Sequence, residues 1–267
     1  MKNTITLIIL GFLFVTVFVD GYNKKTPSEE IYLKNDTGKI ATKPIFSPKT
    51  PKKSFSAIKK IARDKIYNGK QETFYCGCSY EPTGNSGGGV IDKASCGSKK
   101  RKSETRASRV EWEHVIPAYM FGHNLPCWNI GHPECNKKGR ACCHKVNKGF
   151  RTAELDLHNL VPSVGELNGD RSNYPYGIIE GEVRNYGACD FEVDFENRVA
   201  EPTEGVRGDV ARIWLYMTHL YNTPVSEEQK QQFILWNKAD PTSEWECIRD
   251  KRIQAEQGNT NPYLECR

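Results

Sequence analysis

The sequence predicts an α+β protein stabilised by disulfide bonds, and three observations lead to this prediction. Apolar residues recur at helical spacing ahead of the first cysteines and through the C-terminal third of the 267-residue chain. Short segments that alternate apolar and polar residues lie between them. Ten cysteines follow an apolar N-terminal run. We therefore expect one domain that combines mixed helices with a small antiparallel sheet.

The N-terminus is typical of an exported protein. Residues 1–21 contain a lysine near the start, an apolar run from Ile5 to Val19 and a polar end. This pattern indicates a signal peptide and is short for a membrane span, although no Ala-x-Ala cleavage site is visible and an uncleaved anchor is the alternative. Residues 22–53 are rich in Lys, Thr and Pro, which predicts a flexible linker before a folded domain at 54–267.

The cysteines indicate disulfides. An even number of cysteines in an exported protein predicts a disulfide framework, whose connectivity the sequence does not give. A zinc site is the alternative, but the chain has Cys-x-Cys and Cys-Cys pairs rather than paired Cys-x-x-Cys motifs. The ten are Cys76, Cys78, Cys96, Cys127, Cys135, Cys142, Cys143, Cys189, Cys247 and Cys266.

The first folded segment is predicted to be an amphipathic helix. Ser54 is a suitable N-cap, apolar residues recur at helical spacing over 55–66, and Gly69 is a natural stop. Residues 73–80 are aromatic and cysteine-rich, which predicts a strand. Residues 109–116 alternate and are β-branched, which predicts a second strand.

The remainder divides into an irregular part and a helical part. Residues 122–150 carry four cysteines and many basic residues, which predicts a long excursion with little core of its own, held by disulfides. Residues 208–221 have helical periodicity. Capping boxes at Ser226 and Ser243 predict two further helices, and Gly258 is a natural end for the last one.

The first candidate functional segment is Glu111-Trp112-Glu113-His114. In a regular strand neighbouring side chains point to opposite faces, so Glu113 and His114 converge on one site only if the strand breaks there. The alternative is structural: Trp112 and His114 face the core while the two glutamates lie in water.

The second candidate segment spans residues 156–171. Ser163 and Glu166 have the spacing of a capping box, and Asn168 and Arg171 then fall on the apolar face of the following helix. A carboxamide there needs a partner, and a metal ion is one candidate. The sequence Asn-Gly-Asp is also a strong hairpin-turn signal, so the local pattern leaves both structures open.

These two segments carry a resemblance to a known family. Glu-Trp-Glu-His-Val-Ile-Pro-Ala at 111–118 and Asp-Leu-His-Asn-Leu-x-Pro-Ser-Val-Gly-Glu-Leu-Asn-Gly-Asp-Arg-Ser-Asn at 156–173 closely resemble the endonuclease I family of periplasmic and secreted bacterial nucleases. The resemblance covers about residues 55–267. It implies a ββα-metal (His-Me) finger, in which a strand, a loop, a second strand and a helix converge on one Mg²⁺. It also favours a helix at Asn168 over the hairpin turn.

The resemblance assigns roles to four residues. His114 matches the general base, Glu113 and Asn168 match the metal ligands, and Arg140 matches an arginine that stabilises the phosphate; a solvated loop charge is the alternative for Arg140. Two protein oxygens leave most of the Mg²⁺ shell to water and phosphate, as a metal that serves the substrate requires. The resemblance implies that Mn²⁺ or Ca²⁺ can substitute and that the products carry 5′-phosphate and 3′-hydroxyl ends.

The roles that we expect for other polar residues are less specific. Asn159 either fixes the geometry near the site or caps a helix. Arg171 either reaches phosphate or pairs with Glu166 or Asp170. The remaining histidines are expected at the surface or around the site: His123, His132, His144, His158 and His219.

A basic run precedes the strand that carries His114. The formal net charge of +5 is mild, and it suits a polyanionic partner without establishing one. The run is either a solvated loop or, beside a nuclease site, a grip on phosphates that reads no bases. Its members are Lys99, Lys100, Arg101, Lys102, Arg106 and Arg109.

The sequence thus predicts an exported, Mg²⁺-dependent, sequence-nonspecific endonuclease that acts as a monomer in the periplasm or outside the cell. DNA is the expected substrate, RNA is left open as a second one, and no membrane contact is expected after signal removal. Three alternatives stay open: a non-catalytic secreted nucleic-acid-binding protein, a cysteine-rich extracellular structural module, and a phosphodiesterase for small nucleotides.

Overall fold

Helices surround three separate pairs of antiparallel strands, which confirms the predicted α+β class. The structure is a computed structural model and describes residue 48 and residues 53–181 and 183–266. The predicted signal peptide, and the predicted linker apart from positions 48 and 53, lie outside the described residues, so the start of the domain stays a prediction. Among the described helices, none combines the length and the apolar character needed to cross a membrane.

The helices are short in the first half of the chain and long at its C-terminal end. Across the described ranges, the α-helices are α1 Phe55–Ile61, α2 Glu104–Ala107, α3 Ala118–Gly122, α4 Pro126–Asn129, α5 Arg140–Val146, α6 Lys148–Glu154, α7 Gly165–Arg171, α8 Arg207–Tyr221, α9 Glu227–Ala239 and α10 Glu244–Gln257. The described residues also form a π-helix at Ala62–Ile66 and 3₁₀-helices at Lys93–Ser95, Leu157–Asn159 and Glu204–Val206.

Each strand pairs with one other. The strands are β1 Tyr80–Thr83, β2 Gly88–Ile91, β3 Val110–His114, β4 Leu160–Val164, β5 Glu192–Asp194 and β6 Val199–Glu201. β1 pairs with β2, β3 with β4 and β5 with β6, all antiparallel. α7 follows β4 directly and packs on both strands of the middle pair. A strand, a long connection, a second strand and a helix therefore come together in the order that the resemblance implies.

Most of the predicted helix ends are confirmed. The Ser54 side chain accepts a hydrogen bond from the first turn of α1, and helical structure continues to residue 66, just before Gly69. Ser226 caps α9, and Ser243 forms a complete capping box at the start of α10. Gly258 ends α10 with φ +90°, in the left-handed region that glycine adopts without steric cost.

The predicted strand at residues 73–80 is wrong. The chain turns there, because the Gly77 amide donates to the Thr73 carbonyl and Gly77 has φ +63°. Only Tyr80 belongs to a strand, as the first residue of β1. The turn buries Tyr75, which is 2% exposed, and leaves Phe74 partly buried.

The predicted capping box at Ser163 is also wrong. Ser163 lies inside β4 and is fully buried, and α7 begins two residues later with Val164 as its N-cap. The Glu166 carboxylate accepts hydrogen bonds from backbone amides of the basic run, at Arg101 and Lys102, rather than from its own helix. Because of these bonds, the basic run is fixed to α7.

The core covers β3 on both faces. The largest cluster includes Val110 and Val115 of this region together with Trp214 of α8. A second cluster places Trp112 against Tyr67 and the residues of α1. A strand that is buried on both sides cannot leave every second side chain in water, which decides where its polar residues lie.

Five disulfides use all ten cysteines, so the zinc alternative is wrong for these residues. The pairs are Cys76–Cys189, Cys78–Cys96, Cys127–Cys143, Cys135–Cys142 and Cys247–Cys266. Two of them hold the excursion of residues 122–150, as predicted. The excursion also buries Phe150 with its cysteines in a small cluster, so it has more core of its own than its composition suggested.

Candidate functional site

The polar residues of β3 point to different sides of the strand. Trp112 donates from its indole nitrogen to the Gly87 carbonyl at 2.7 Å, and His114 stacks on Phe55 with ring centroids 5.4 Å apart. The pairing with β4 is regular up to His114, so the strand does not break there and Glu113 points to the other face. The predicted convergence of the Glu113 and His114 side chains is therefore not observed among the described residues. Trp112 and His114 thus face the core, as the structural alternative placed them, whereas Glu113, which that alternative placed in water, is 0% exposed.

Glu113 lies in a buried polar pocket. Its Oε1 accepts hydrogen bonds from the hydroxyls of Tyr75 at 3.0 Å and Tyr176 at 3.4 Å, and it lies 3.3 Å from Nη1 of Arg171. Its Oε2 is buried without a hydrogen-bond partner among the described residues. Burial raises the pKa of the Glu113 carboxyl, although Arg171 opposes this effect. Oε1 therefore has partners within the protein, and Oε2 is the oxygen left for a cation or a further donor.

Arg171 does not pair with Glu166 or Asp170, nor can it reach a phosphate, because it is 1% exposed. Its guanidinium donates to the carbonyls of His114 at 2.9 Å and Val115 at 2.6 Å. Both alternatives from the sequence are therefore wrong. Arg171 instead ties the end of β3 to α7 and supplies the positive charge beside Glu113.

Asn168 lies on α7, as the resemblance implies, and not in a hairpin turn. Its Nδ2 donates to Oε2 of Glu111 at 2.9 Å. Among the described residues no hydrogen bond joins Asn168 to Glu113, and the two are connected through α7, whose Arg171 contacts Glu113. The structure thus places Asn168 against β3. Its side chain contacts Glu111 and not Glu113, the residue predicted to share its metal.

His114 is fixed in one tautomer. Its Nε2 lies 2.7 Å from the Glu154 carbonyl oxygen. A carbonyl only accepts, so Nε2 carries the proton and the lone pair of the neutral ring is on Nδ1. Burial, together with the charge of Arg140, lowers the pKa of His114 to about 3, so the ring is neutral near pH 7.

Glu154 organises this side of the site and was not found from the sequence. Its carboxylate accepts from Nε of Arg140 and lies against Nδ1 of His144, each at 2.5 Å. The Arg140 guanidinium also lies 5.1 Å from the centroid of the Phe55 ring that stacks on His114. Arg140 is therefore the first residue of α5 beside His114 rather than an isolated loop charge, and its side chain is 44% exposed. The sequence signal for Glu154 was only that an acidic residue stands shortly before the Asp-Leu-His-Asn motif.

Asn159 fixes the chain next to His114, as the first of its two alternatives proposed. Its Oδ1 accepts from the Ile116 amide at 2.8 Å, and its Nδ2 donates to the Ile116 carbonyl at 3.0 Å. Its neighbour His158 is buried at 1% exposure and contacts neither Glu113 nor Asn168, so it belongs to the core rather than to the surface.

The arginines and lysines of the basic run have different roles. Arg101 pairs with Asp170 of α7, and Arg106 and Arg109 both pair with Glu111. The run is therefore more than a solvated loop, and its arginines are engaged within the protein. The side chains of Lys99 and Lys102 have no ion pair among the described residues, which leaves their charges for an anionic partner.

Two oxygens in this region are of the type that a hard divalent cation binds. Across the described ranges, no three His, Cys, Asp or Glu side chains are grouped to hold a metal ion. The free oxygens are Oε2 of Glu113 and Oδ1 of Asn168, for which the described residues provide no donor. Mg²⁺ prefers oxygen ligands and keeps several waters, so two protein oxygens are sufficient for it.

Comparison with known proteins gives consistent matches over most of the chain. The family model described as Endonuclease I matches residues 49–266. Endonuclease-1 of Buchnera aphidicola subsp. Acyrthosiphon pisum (strain APS) is 42% identical over 219 residues, which are 82% of this chain and 83% of the relative. An extracellular deoxyribonuclease of Aeromonas hydrophila is 43% identical over 76% of this chain and 85% of its own. A periplasmic deoxyribonuclease of the same species is 43% identical over 75% and 81%.

Proposed function

Because this chain belongs to the endonuclease I family, we propose that it is an exported endonuclease that hydrolyses phosphodiester bonds of DNA with the help of Mg²⁺. The names of its relatives support a periplasmic or secreted location and DNA as the substrate. The proposed products carry 5′-phosphate and 3′-hydroxyl ends, and RNA is a second substrate to be tested. We propose that the protein acts as a monomer.

One observation carries the proposal. His114 is a neutral imidazole whose protonated nitrogen donates to the Glu154 carbonyl. It directly follows Glu113, a buried carboxylate with one unpartnered oxygen. This pair stands on the first strand of a strand–strand–helix unit whose helix carries Asn168. Most buried polar side-chain atoms have a hydrogen-bond partner, so an unpartnered carboxylate oxygen supports a ligand at Glu113.

The residues of the chain divide the chemistry between them. Nδ1 of His114 accepts the proton of the attacking water, as a general base with a lone pair at neutral pH. The guanidinium of Arg140 binds the phosphate and offsets its charge. Glu113 and Asn168 would hold Mg²⁺, which when bound would stabilise the charge on the phosphate and on the departing 3′ oxygen. Mn²⁺ and Ca²⁺ are proposed substitutes, because both accept oxygen ligands.

Binding of DNA is proposed to occur through phosphates. Lys99 and Lys102 lie in the segment that Glu166 fixes to α7, so their charges stand beside the site. Contacts of this type position the duplex without reading bases, which predicts nonspecific cleavage and weaker binding as salt rises.

The test is cleavage of supercoiled plasmid by the oxidised protein. Mg²⁺ is expected to give nicked, linear and then fragmented DNA; EDTA should stop the reaction, and excess Mg²⁺ should restore it. An unrelated exported protein purified in parallel controls for contaminating nuclease. Intact plasmid with a folded protein and Mg²⁺ would contradict the proposal and favour the non-catalytic nucleic-acid-binding alternative, which a gel shift would then detect.

A further inference from the structure

Asn168 is held by one hydrogen bond that determines the orientation of its amide. The Nδ2 donates to Oε2 of Glu111 at 2.9 Å. An amide presents a donor at one end and an acceptor at the other, so a partner that only accepts fixes which end points away from it. Glu111 therefore holds the nitrogen of Asn168 and leaves the oxygen for another ligand.

Glu111 is itself held by two arginines. Arg106 donates from Nε to Oε1 at 3.1 Å and from Nη2 to Oε2 at 2.5 Å. Arg109 donates from Nε and Nη2 to Oε1 at 3.0 and 2.6 Å. The two guanidinium groups keep the carboxylate charged and in place, and they occupy the oxygens with which Glu111 could otherwise bind a metal itself.

Two glycines of α7 make room for this arrangement. A Cβ at Gly165 would lie 2.9 Å from both Cγ and Cδ of Glu111. A Cβ at Gly169 would lie 1.8 Å from Nη1 and 2.3 Å from Cζ of Arg106. Gly169 follows Asn168 within the helix, so its glycine is explained by the close approach of Arg106 rather than by a turn.

We propose that Glu111, supported by Arg106 and Arg109, is a positioning residue that orients Asn168 so that its Oδ1 faces the divalent cation. This inference rests on the proposed function, in which Asn168 is a metal ligand. Partners that orient a metal ligand commonly change metal affinity about 10- to 100-fold when they are removed. Loss of the Glu111 acceptor is therefore expected to weaken metal binding by about that factor while the general base stays intact.

The experiment compares three substitutions. Glu111→Leu removes the acceptor, and Glu111→Gln keeps an oxygen that can accept from Asn168. Glu104→Gln removes one negative charge from a nearby side chain that bonds Lys93 and Ser108 rather than Asn168. For each, the Mg²⁺ concentration that gives half-maximal plasmid cleavage and the rate at saturating Mg²⁺ are measured. Binding of Mn²⁺ to the DNA-free protein is measured separately, by the loss of the electron paramagnetic resonance signal of the free ion.

We expect the half-saturating Mg²⁺ concentration and the Mn²⁺ dissociation constant of Glu111→Leu to rise by about tenfold or more, with a smaller rise for Glu111→Gln and none for Glu104→Gln. Gly169→Ala, whose Cβ displaces Arg106, should act in the same direction and replaces Glu111→Leu if that variant does not fold. Unchanged metal affinity in folded Glu111→Leu overturns the inference alone. Wild-type protein that binds no Mn²⁺ and cleaves without Mg²⁺ overturns the proposed function as well.

Discussion

At the residue scale, the site depends on groups that are buried in unusual states. Glu113 is a carboxylate with one unpartnered oxygen, and His114 is an imidazole that burial keeps neutral. Both states oppose the ordinary preference of these side chains for water, and they persist because surrounding residues fix them: Arg171 beside Glu113, and Glu154 and Phe55 around His114. Groups in such states are frequent at functional sites.

A buried histidine outside the site predicts how stability depends on pH. Burial lowers the pKa of His158 from its ordinary value of 6.5, with Arg249 acting in the same direction. The folded state then holds the neutral ring, so its contribution to stability is fully present above pH 6.5 and is lost as the pH falls below that value. His158→Gln should therefore lose less stability than the wild type between pH 7.5 and pH 5.5.

The measurement is urea denaturation of both proteins at the two pH values. His132→Gln, which changes an exposed histidine, is the control and should behave as the wild type. His114 contributes to the pH dependence in the same direction and remains in all three proteins. The change in unfolding free energy between the two pH values is therefore compared between proteins, and only its difference reports on His158. An equal change in unfolding free energy between the two pH values for His158→Gln and the wild type would contradict this account of the buried ring.

The resemblance proposed Glu113, His114 and Asn168 from two dense motifs and Arg140 from a separate segment, but the sequence did not identify the residues that surround them. Tyr75, Phe55 and Glu154 come from three separate segments and meet only in the fold. Arg171 was recognised, yet its partner was wrong, because the choice between Glu166 and Glu113 depends on how α7 docks on β3. Contacts between distant segments have no periodicity or spacing that a sequence could display.

At the element scale, the terminal helices were predictable and the middle of the chain was not. Caps such as Ser54, Ser243 and Gly258 act within one helical turn, so their signals are complete in the local sequence. The Asn-Gly-Asp signal of α7 was ambiguous for a physical reason. A Cβ at Gly169 would meet the guanidinium of Arg106, which lies 63 residues earlier in the chain.

Two element predictions failed because side chains had other partners. Ser163 and Glu166 had the spacing of a capping box, but pairing with β3 draws Ser163 into β4, and the amides of the basic run occupy Glu166. Residues 73–80 had the composition of a strand, but disulfides at Cys76 and Cys78 bind this turn to two distant segments. Tertiary bonds thus override local preference where a short element has few bonds of its own.

At the scale of the whole molecule, the disulfides differ in the length of chain that they close. Cys76–Cys189 spans 113 residues, a loop that contains both strands and the helix of the site, whereas Cys135–Cys142 spans 7. In the chain-entropy account, the longer loop restricts the unfolded state by about 5 kcal/mol and the shorter by about 2 kcal/mol. Replacing Cys76 and Cys189 together by alanine should therefore cost more stability than replacing Cys135 and Cys142.

Guanidinium denaturation of the two oxidised double variants and the wild type tests this order. The variant that lacks Cys76–Cys189 should have the lowest midpoint, and it should lose cleavage activity at a lower temperature than the other two. Equal losses, or a larger loss without Cys135–Cys142, would show that the short disulfide of the excursion contributes more than its loop length implies.

The central claim is that His114 takes the proton of the attacking water, and one measurement tests it most directly. The rate of plasmid cleavage by His114→Ala at saturating Mg²⁺ is compared with the wild type and with His123→Ala, whose ring stacks on the exposed Tyr119. We predict a fall of about 10²- to 10⁴-fold for His114→Ala, with DNA binding and folding retained, and no change for His123→Ala. A folded His114→Ala protein that cleaves within a few-fold of the wild-type rate would contradict the account.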